Sequence, residues 1–243
     1  MKMEKLDHKN LSDKVYEILK ERIIRWELRP GERIKDRQIA ETLGVSRSLV
    51  RNVLTLLEVE GYVTISRSGV NVAQFSQKQI QEIYAIRRLL EPFALELAFG
   101  NISPEELEDV GEKIRRAKQE IREDRFEATY ELDVTLHHLI INKCSNSQVG
   151  RVYSNLQNFF GIATLLTNLR QRLQQDKRID GGQMNYAKES LDEHARIYGA
   201  MKKRNLKEAR DALIFHLTRA EDRAREYLEL ASSNQSLRSG ADS

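Results

Sequence analysis

The stretch that decides the fold runs from Gly31 to Val72: GERIKDRQIAETLGVSRSLVRNVLTLLEVEGYVTISRSGVNV. Its apolar residues recur at helical spacing in two segments and then alternate in two shorter ones. We predict a short helix, a tight turn, a second helix and a β-hairpin. Asp36 is expected to cap the first helix, Gly44 to end it in a left-handed conformation, and Ser46 to cap the second.

The second predicted helix has two chemically different faces. One face carries the residues expected in the core, which are Val50, Val53, Leu54 and Leu57. Arg47, Ser48 and Arg51 fall on the opposite face near the helix N-terminus, where backbone amides and guanidinium groups suit phosphate oxygens and guanine edges. The hairpin around Ser66–Gly69 follows as a wing. The pattern is typical of a DNA-binding winged helix-turn-helix.

The segment LGVSRSLVRNVLTLLEVEGYV (43–63) resembles the winged helix-turn-helix of the GntR family of bacterial transcriptional regulators along its whole length. Leu49 stands where proline is commonest in that family, and Asn52 stands where glutamate is usual. The resemblance implies that seven residues contact DNA: Arg37, Ser46, Arg47, Ser48, Arg51, Ser68 and Gly69. Because one winged unit covers only a few base pairs, we expect a homodimer on a double-stranded operator with an inverted repeat.

Charge and length favour two domains in the 243-residue chain. The whole formal net charge of +3 is carried by residues 1–75, so binding is expected to depend on a few well-placed cations. We predict a winged helix-turn-helix domain over 1–75 and an all-helical metal-binding, effector-binding and dimerisation domain over 76–231. Residues 232–243 are expected to be a disordered tail. The expected fold is therefore mainly α, with an antiparallel all-α helical bundle after the winged domain.

Two features of the sequence bear on the compartment. The chain has a single cysteine, Cys144, which cannot form an internal disulfide and fits a reducing environment. No apolar run approaches the length of a membrane span, and the N-terminus lacks the layout of a signal peptide. We expect a cytoplasmic protein without a membrane partner.

A second group of residues lies in the predicted bundle. Asp133 and His137 are four residues apart and so project from one helix face. His194 and His216 each lie eleven residues from a turn at Asn205, about 16 Å along their helices, and are neighbours if those helices are antiparallel. Three imidazoles and a carboxylate suit a divalent ion such as Zn²⁺, Ni²⁺ or Mn²⁺. On spacing alone, histidines hydrogen-bonded in a core are an alternative.

The bundle region resembles the FCD ligand-binding domain of the FadR subfamily. The matching segments are IRRLLEPFALELA (86–98), DVTLH (133–137), EH (193–194) and FHL (215–217). Metal-binding members of that subfamily carry an Asp-x-x-x-His helix followed by two later histidines. The resemblance implies that Asp133, His137, His194 and His216 are metal ligands. It also implies that Arg87 contacts the effector, with a surface salt bridge to Glu91 as the alternative.

Together these features predict a transcriptional regulator, expected to be a repressor of metabolic genes. Its operator binding would be modulated by a small organic acid held at the divalent metal ion. A metal-free FadR-like regulator with an acyl or lipid-type effector is one alternative. A metalloenzyme fused to a DNA-binding domain is another, but beyond the ligands we find no general acid or base, nucleophile elbow or phosphate-binding loop. The chain is therefore not expected to be an enzyme.

Overall fold

The computed structural model describes residues 8–24, 27–74, 76–123, 125, 127–154, 156 and 186–239. The described residues divide into two compact units, one ending at Gln74 and the other beginning at Ser76. The elements of the first unit are α1 (His8–Ile24), β1 (Arg33–Ile34), α2 (Asp36–Leu43), α3 (Arg47–Val59), β2 (Val63–Ser66) and β3 (Gly69–Val72). The second unit contains α4 (Gln77–Ala98), α5 (Pro104–Arg122), α6 (Glu127–Lys143), α7 (147–154), α8 (Tyr186–Lys202) and α9 (Leu206–Ser239).

The first unit is a winged helix-turn-helix, as predicted. Gly44 ends α2 with a φ of 65°, and the Ser46 side chain accepts a hydrogen bond from the Leu49 amide at the start of α3. The four core residues predicted for α3 are all buried, and they pack with α1 residues such as Leu19. Helix α3 is thereby fixed on its apolar side, which leaves its polar side exposed.

The wing is a three-stranded antiparallel sheet with the order β1-β3-β2. Strands β2 and β3 are the predicted hairpin, and Ser66 pairs with Gly69 across the turn. Strand β1 was not predicted, because two residues are too short to show an alternating pattern. It pairs Arg33 with Asn71 and so fixes the outer edge of β3.

The second unit is an all-helical bundle, which confirms the predicted fold class. The capping box at Ser103 opens α5, and a further one at Ser76 opens α4. Helices α4, α6, α8 and α9 pack around fully buried residues such as Leu95, Leu132 and Leu213. None of the helices in the described part of the chain combines the length and apolar composition needed to span a bilayer.

The C-terminal end of α9 differs from the prediction. The helix continues to Ser239, so residues 232–239 are helical where a disordered tail was expected over 232–243. Adding residues to an existing helix avoids the cost of nucleation, and composition alone does not show that. Residues 240–243 lie outside the described part of the chain.

Candidate nucleic-acid interface and candidate metal centre

The residues predicted to contact DNA lie on the exposed side of the first unit. Ser46, Arg47, Ser48 and Arg51 are all exposed, at or near the N-terminus of α3. The hydroxyl groups of Ser46 and Ser48 lie 3.0 Å apart. Arg37 projects from α2, where its Nε donates to Oε1 of Glu41 at 2.8 Å. These exposed side chains lie beside the N-terminus of α3, and the N-terminus of a helix favours anions.

Asp36 was predicted to cap α2, and this prediction is wrong. The N-cap residue is Lys35, which makes no side-chain capping bond, and Asp36 is the first residue of the helix. Its Oδ2 instead lies 3.0 Å from Nε of Arg47 and 3.1 Å from Nε of Arg51. The carboxylate is drawn to two guanidinium groups, and in the first helical turn it still interacts favourably with the helix dipole.

The tip of the wing is held by short polar contacts. The Ser66 hydroxyl lies 2.7 Å from that of Ser68 and donates to the Gly69 carbonyl at 3.2 Å. Gly69 has a φ of 130°, and a β-carbon there would lie 3.2 Å from the Arg33 guanidinium. Glycine is therefore favoured at this turn by its conformation, and a β-carbon would require only a small shift of the Arg33 side chain. Ser68 is exposed beside it.

The second unit brings Asp133, His137, His194 and His216 together. One ligand atom from each of the four residues lies within 4.8 Å of the ligand atoms of the other three. Asp133 and His137 come from α6, His194 from α8 and His216 from α9. The His194 and His216 rings are 4.3 Å apart between centroids, so the predicted pairing across the α8–α9 turn is confirmed as geometry.

Every histidine of the cluster points its Nε2 atom toward Asp133. The distances from Oδ1 of Asp133 are 3.6 Å for His137, 3.2 Å for His194 and 3.7 Å for His216. Donors around one Zn²⁺ lie about 2.0–2.1 Å from the ion and hence roughly 3–4 Å from each other. The three distances to Asp133 fall in this range, and all four donor atoms lie within 4.8 Å of one another, so these residues could hold a single ion.

On the other side of each ring, Nδ1 has a partner that the sequence analysis missed. Nδ1 of His137 contacts Oε2 of Glu91, and Nδ1 of His216 lies 2.9 Å from Oε2 of Glu193. Nδ1 of His194 has the weaker partner, the Ser190 hydroxyl at 3.4 Å. A carboxylate only accepts hydrogen bonds, so it holds the proton of His137 and His216 on Nδ1 and leaves Nε2 free to coordinate.

The two supporting glutamates are each neutralised by a buried arginine. Arg223 donates to both oxygens of Glu193, at 2.8 and 2.7 Å, and Nε of Arg87 donates to Glu91 at 2.5 Å. Burial acts to raise the pKa of Glu91, but the charge of Arg87 and the contact with His137 outweigh it and lower the pKa to about 2. Burial and Arg223 oppose each other in the same way at Glu193, whose pKa is also lowered to about 2. Both carboxylates are therefore charged at neutral pH.

Arg87 lies in this network and not on the surface. It is buried, and its i,i+4 pair with Glu91 exists, but as a buried pair that contacts a cluster histidine. The alternative of a surface salt bridge was therefore wrong about exposure. The spacing of Arg87 and Glu91 was visible in the sequence, whereas the burial of both depends on the packing of α4 against α6 and α9.

Asp133 is the most exposed of the four cluster residues. The three imidazoles are almost fully buried, whereas the Asp133 side chain is 23% exposed. Burial acts to raise the pKa of Asp133, but the adjacent imidazoles of His194 and His216 hold it well below its usual range. Asp133 thus offers a charged oxygen at the accessible edge of the cluster. His138 points elsewhere and packs edge-on against Tyr153, and Cys144 is buried.

The chain matches two family models, one in each unit. Residues 11–72 match the model described as "Bacterial regulatory proteins, gntR family". Residues 82–219, more than half of the chain, match the FCD domain. The exposed face of α3 lies in the first match, and the Asp/His cluster lies in the second.

Relatives and solved structures agree with these matches. The transcriptional regulator YdhC of Bacillus subtilis is 27% identical over 90% of this chain and 93% of its own length. The gluconate operon transcriptional repressor of the same species is 32% identical over 65% of this chain and 64% of its own length. The structure of Escherichia coli McbR/YncC shares the fold, with a TM-score of 0.62 and 20% identity over 86% of this chain and 94% of that one. The protein belongs to the GntR family of bacterial transcriptional regulators, with an FCD domain following its DNA-binding domain.

Proposed function

We propose that the protein is a metal-dependent repressor of metabolic genes whose affinity for its operator changes when a small organic acid binds at the Asp/His cluster. Asp133, His137, His194 and His216 would hold one divalent ion. Arg37, Ser46, Arg47, Ser48, Arg51, Ser68 and Gly69 would contact the DNA. A homodimer would present two such surfaces to an inverted repeat.

The observation that carries the metal proposal is the orientation of the ring nitrogens. Nε2 of His137 and Nε2 of His216 face each other at 3.2 Å, and both lone pairs point into the cluster when Nδ1 carries the proton. Nε2 of His194 is buried and makes no hydrogen bond of adequate geometry with any described residue. A shared proton would satisfy the first pair and leave His194 unsatisfied. A divalent cation satisfies all three nitrogens and Asp133 together.

Charge supports an anionic effector. Asp133, Glu91 and Glu193 contribute three carboxylates, and Arg87 and Arg223 contribute two guanidinium groups, so the cluster has a net charge of −1. A divalent ion changes this to +1. The ion would act as a Lewis acid for a carboxylate oxygen, and without it the cluster repels anions.

The donor set does not fix the metal, but it limits the choice. Imidazole ligands suit Zn²⁺ and Ni²⁺, and the added carboxylate also suits Mn²⁺. If the ion has octahedral coordination, four protein ligands leave two coordination positions for a chelating acid. Arg87 is proposed as a further effector contact, and through Glu91 it also orients His137.

The relatives suggest where to begin with the effector. One of them is a repressor of a gluconate operon, so sugar acids are the first candidates, followed by hydroxy acids and dicarboxylates. Binding of such an acid would bias an equilibrium between operator-competent and operator-incompetent dimers. A coupling between two sites of this kind typically changes affinity about 5- to 150-fold.

The test is a thermal-shift screen of these acids on metal-loaded protein, followed by DNA binding. The DNA probe is a duplex selected by the wild-type chain from a randomised library. At least one acid is expected to stabilise the metal-loaded protein and to change its affinity for the duplex, with no effect on chelator-treated protein or on Asp133→Ala. Acids that act equally on chelated protein would contradict the proposal and favour the metal-free, acyl-type alternative.

A further inference from the structure

Asp36 lies between the two arginines that are proposed to contact bases. Its side chain is 16% exposed, whereas those of Arg47 and Arg51 are 57% and 68% exposed. Both arginines approach the same oxygen, Oδ2, and both do so through Nε. The hydrogen bond from Arg47 lowers the pKa of Asp36, so this carboxylate is charged at neutral pH.

The use of Nε matters because of how guanidinium recognises guanine. An arginine that recognises guanine in the major groove donates two parallel hydrogen bonds to O6 and N7, and the two terminal nitrogens can supply both. A contact through Nε leaves that terminal pair unused. Asp36 therefore restrains two guanidinium groups without occupying the edge that base recognition needs.

We propose that Asp36 is a positioning residue for base recognition, which sets specificity in two ways. It orders Arg47 and Arg51 before DNA arrives, so that less side-chain freedom is lost on binding. It also reduces the local charge from +2 to +1, which weakens the attraction to the phosphates of DNA regardless of its sequence. This inference rests on the proposed DNA contacts of Arg47 and Arg51.

A purely structural role for the same contacts makes a different prediction. Ion pairs between exposed side chains contribute little to stability, and loss of such a pair alone would leave the ratio of specific to non-specific affinity unchanged. The shielding of Asp36 and its sharing by two arginines distinguish it from the exposed Arg37–Glu41 pair. The specificity ratio therefore separates the two roles.

The experiment compares binding of the full chain to two duplexes of equal length. One is the duplex selected from a randomised library by the wild-type protein, and the other is its scrambled sequence. Asp36→Asn removes the charge at nearly constant size. Asp13→Asn, at an exposed position of α1, makes the same change of charge elsewhere in the same unit. Dissociation constants are measured at two salt concentrations, and folding is checked by circular dichroism.

Asp36→Asn is expected to lower the preference for the selected duplex about fivefold or more, with weaker binding to it and tighter binding to the scrambled one. Asp13→Asn is expected to keep the ratio, and Asp36→Glu is expected to restore most of it. If Asp36→Asn does not fold, Asp36→Ser removes the carboxylate with a smaller side chain. An unchanged ratio in the folded variant would overturn the inference.

Arg47→Ala separates this inference from the function on which it rests. If Arg47→Ala destroys the preference and Asp36→Asn does not, only the role of Asp36 is wrong. If neither variant changes the preference, the proposed contacts of α3 are wrong as well.

Discussion

On the exposed face of α3 and in the buried cluster of the bundle, carboxylates hold the side chains that are proposed to bind a partner. The two expected partners have opposite charges. On α3, one carboxylate restrains two arginines and leaves a net charge of +1 on the surface. In the bundle, two glutamates restrain two histidines, and the cluster has a net charge of −1. Each site thus has a net charge opposite to that of its expected partner, which is a polyanion in one case and a divalent cation in the other.

The difference in burial decides how much each contact is worth. An exposed pair is screened by water and salt, whereas a buried pair keeps most of its strength and is costly to break. Loss of a donor from the cluster should therefore have the largest effect, and loss of a partly exposed contact in the first unit the smallest.

The largest effect is expected from His194→Ala, which removes the donor whose Nε2 is otherwise unsatisfied. Metal at a free concentration one hundred times its dissociation constant should stabilise the wild-type protein by about 2.7 kcal/mol. The variant should show no such gain at that concentration. Thermal unfolding of chelator-treated protein with added Zn²⁺, Ni²⁺ or Mn²⁺ measures this. His138→Ala is the control, because His138 lies next to the cluster ligand His137 but packs against Tyr153. An equal gain in His194→Ala would show that the ion binds elsewhere.

Arg47→Ala and Arg51→Ala are expected to weaken binding to the selected duplex by about 1–3 kcal/mol per half-site, because each removes a guanidinium that can contact a guanine. Fluorescence anisotropy with the labelled duplex measures the loss. Lys14→Ala removes the same charge from an exposed position of α1 and should cost little. Equal losses in all three variants would mean that charge alone, and not position on α3, governs binding.

Glu193→Gln tests the support of the cluster from outside. The amide cannot accept from Nδ1 of His216 with the strength of a carboxylate, so metal affinity should fall about 10- to 100-fold. Glu189→Gln is matched to it, because Glu189 also lies near Arg223, at 3.7 Å, on the same helix, and has no contact with a cluster histidine among the described residues. Competition with a fluorescent chelator gives both affinities. Equal affinities for the two variants would remove Glu193 from the account.

The smallest effect is expected from Tyr16→Phe in the first unit. The Tyr16 hydroxyl donates to Glu60 at 2.6 Å and so ties α1 to the end of α3, a half-buried bond worth about 1 kcal/mol. Burial and this hydrogen bond raise the pKa of Tyr16 from 10.0 to about 12. Folding therefore favours the protonated hydroxyl. Its contribution to the free energy of unfolding is complete below pH 10 and is lost as the pH rises from 10 towards 12.

Unfolding free energies at about pH 8 and about pH 11 test this prediction. Tyr16→Phe should lower stability at the first pH, and the difference from wild type should shrink at the second. A difference that is constant with pH would show that the hydroxyl does not titrate between these limits.

The sequence predicted those features that depend on local chemistry. Ser46 caps α3 because its hydroxyl can reach an amide three residues on, which needs no knowledge of the tertiary fold. The convergence of His194 and His216 follows from equal distances to one turn. The family resemblance then predicted that Asp133 and His137 of α6 lie in the same cluster as these two histidines.

The features that were missed depend on contacts between distant segments. The sequence predicts Asp36 as a helix cap. Only the position of α3 next to α2 shows that its carboxylate forms ion pairs with two arginines instead. Glu193 precedes His194, yet its carboxylate supports His216 on another helix. Helical spacing identifies residues on one face, but it does not identify the partner that a neighbouring helix brings to them.

The most direct test of the account is the metal content of the full chain purified without chelator, measured by mass spectrometry of the elements. The wild-type protein should contain about one divalent ion per chain. Asp133→Ala should lose it, and Asp192→Ala, at an exposed position of α8, should keep it. Wild-type protein without bound metal, or Asp133→Ala with as much metal as wild type, would contradict the proposal that this cluster is the sensor of the regulator.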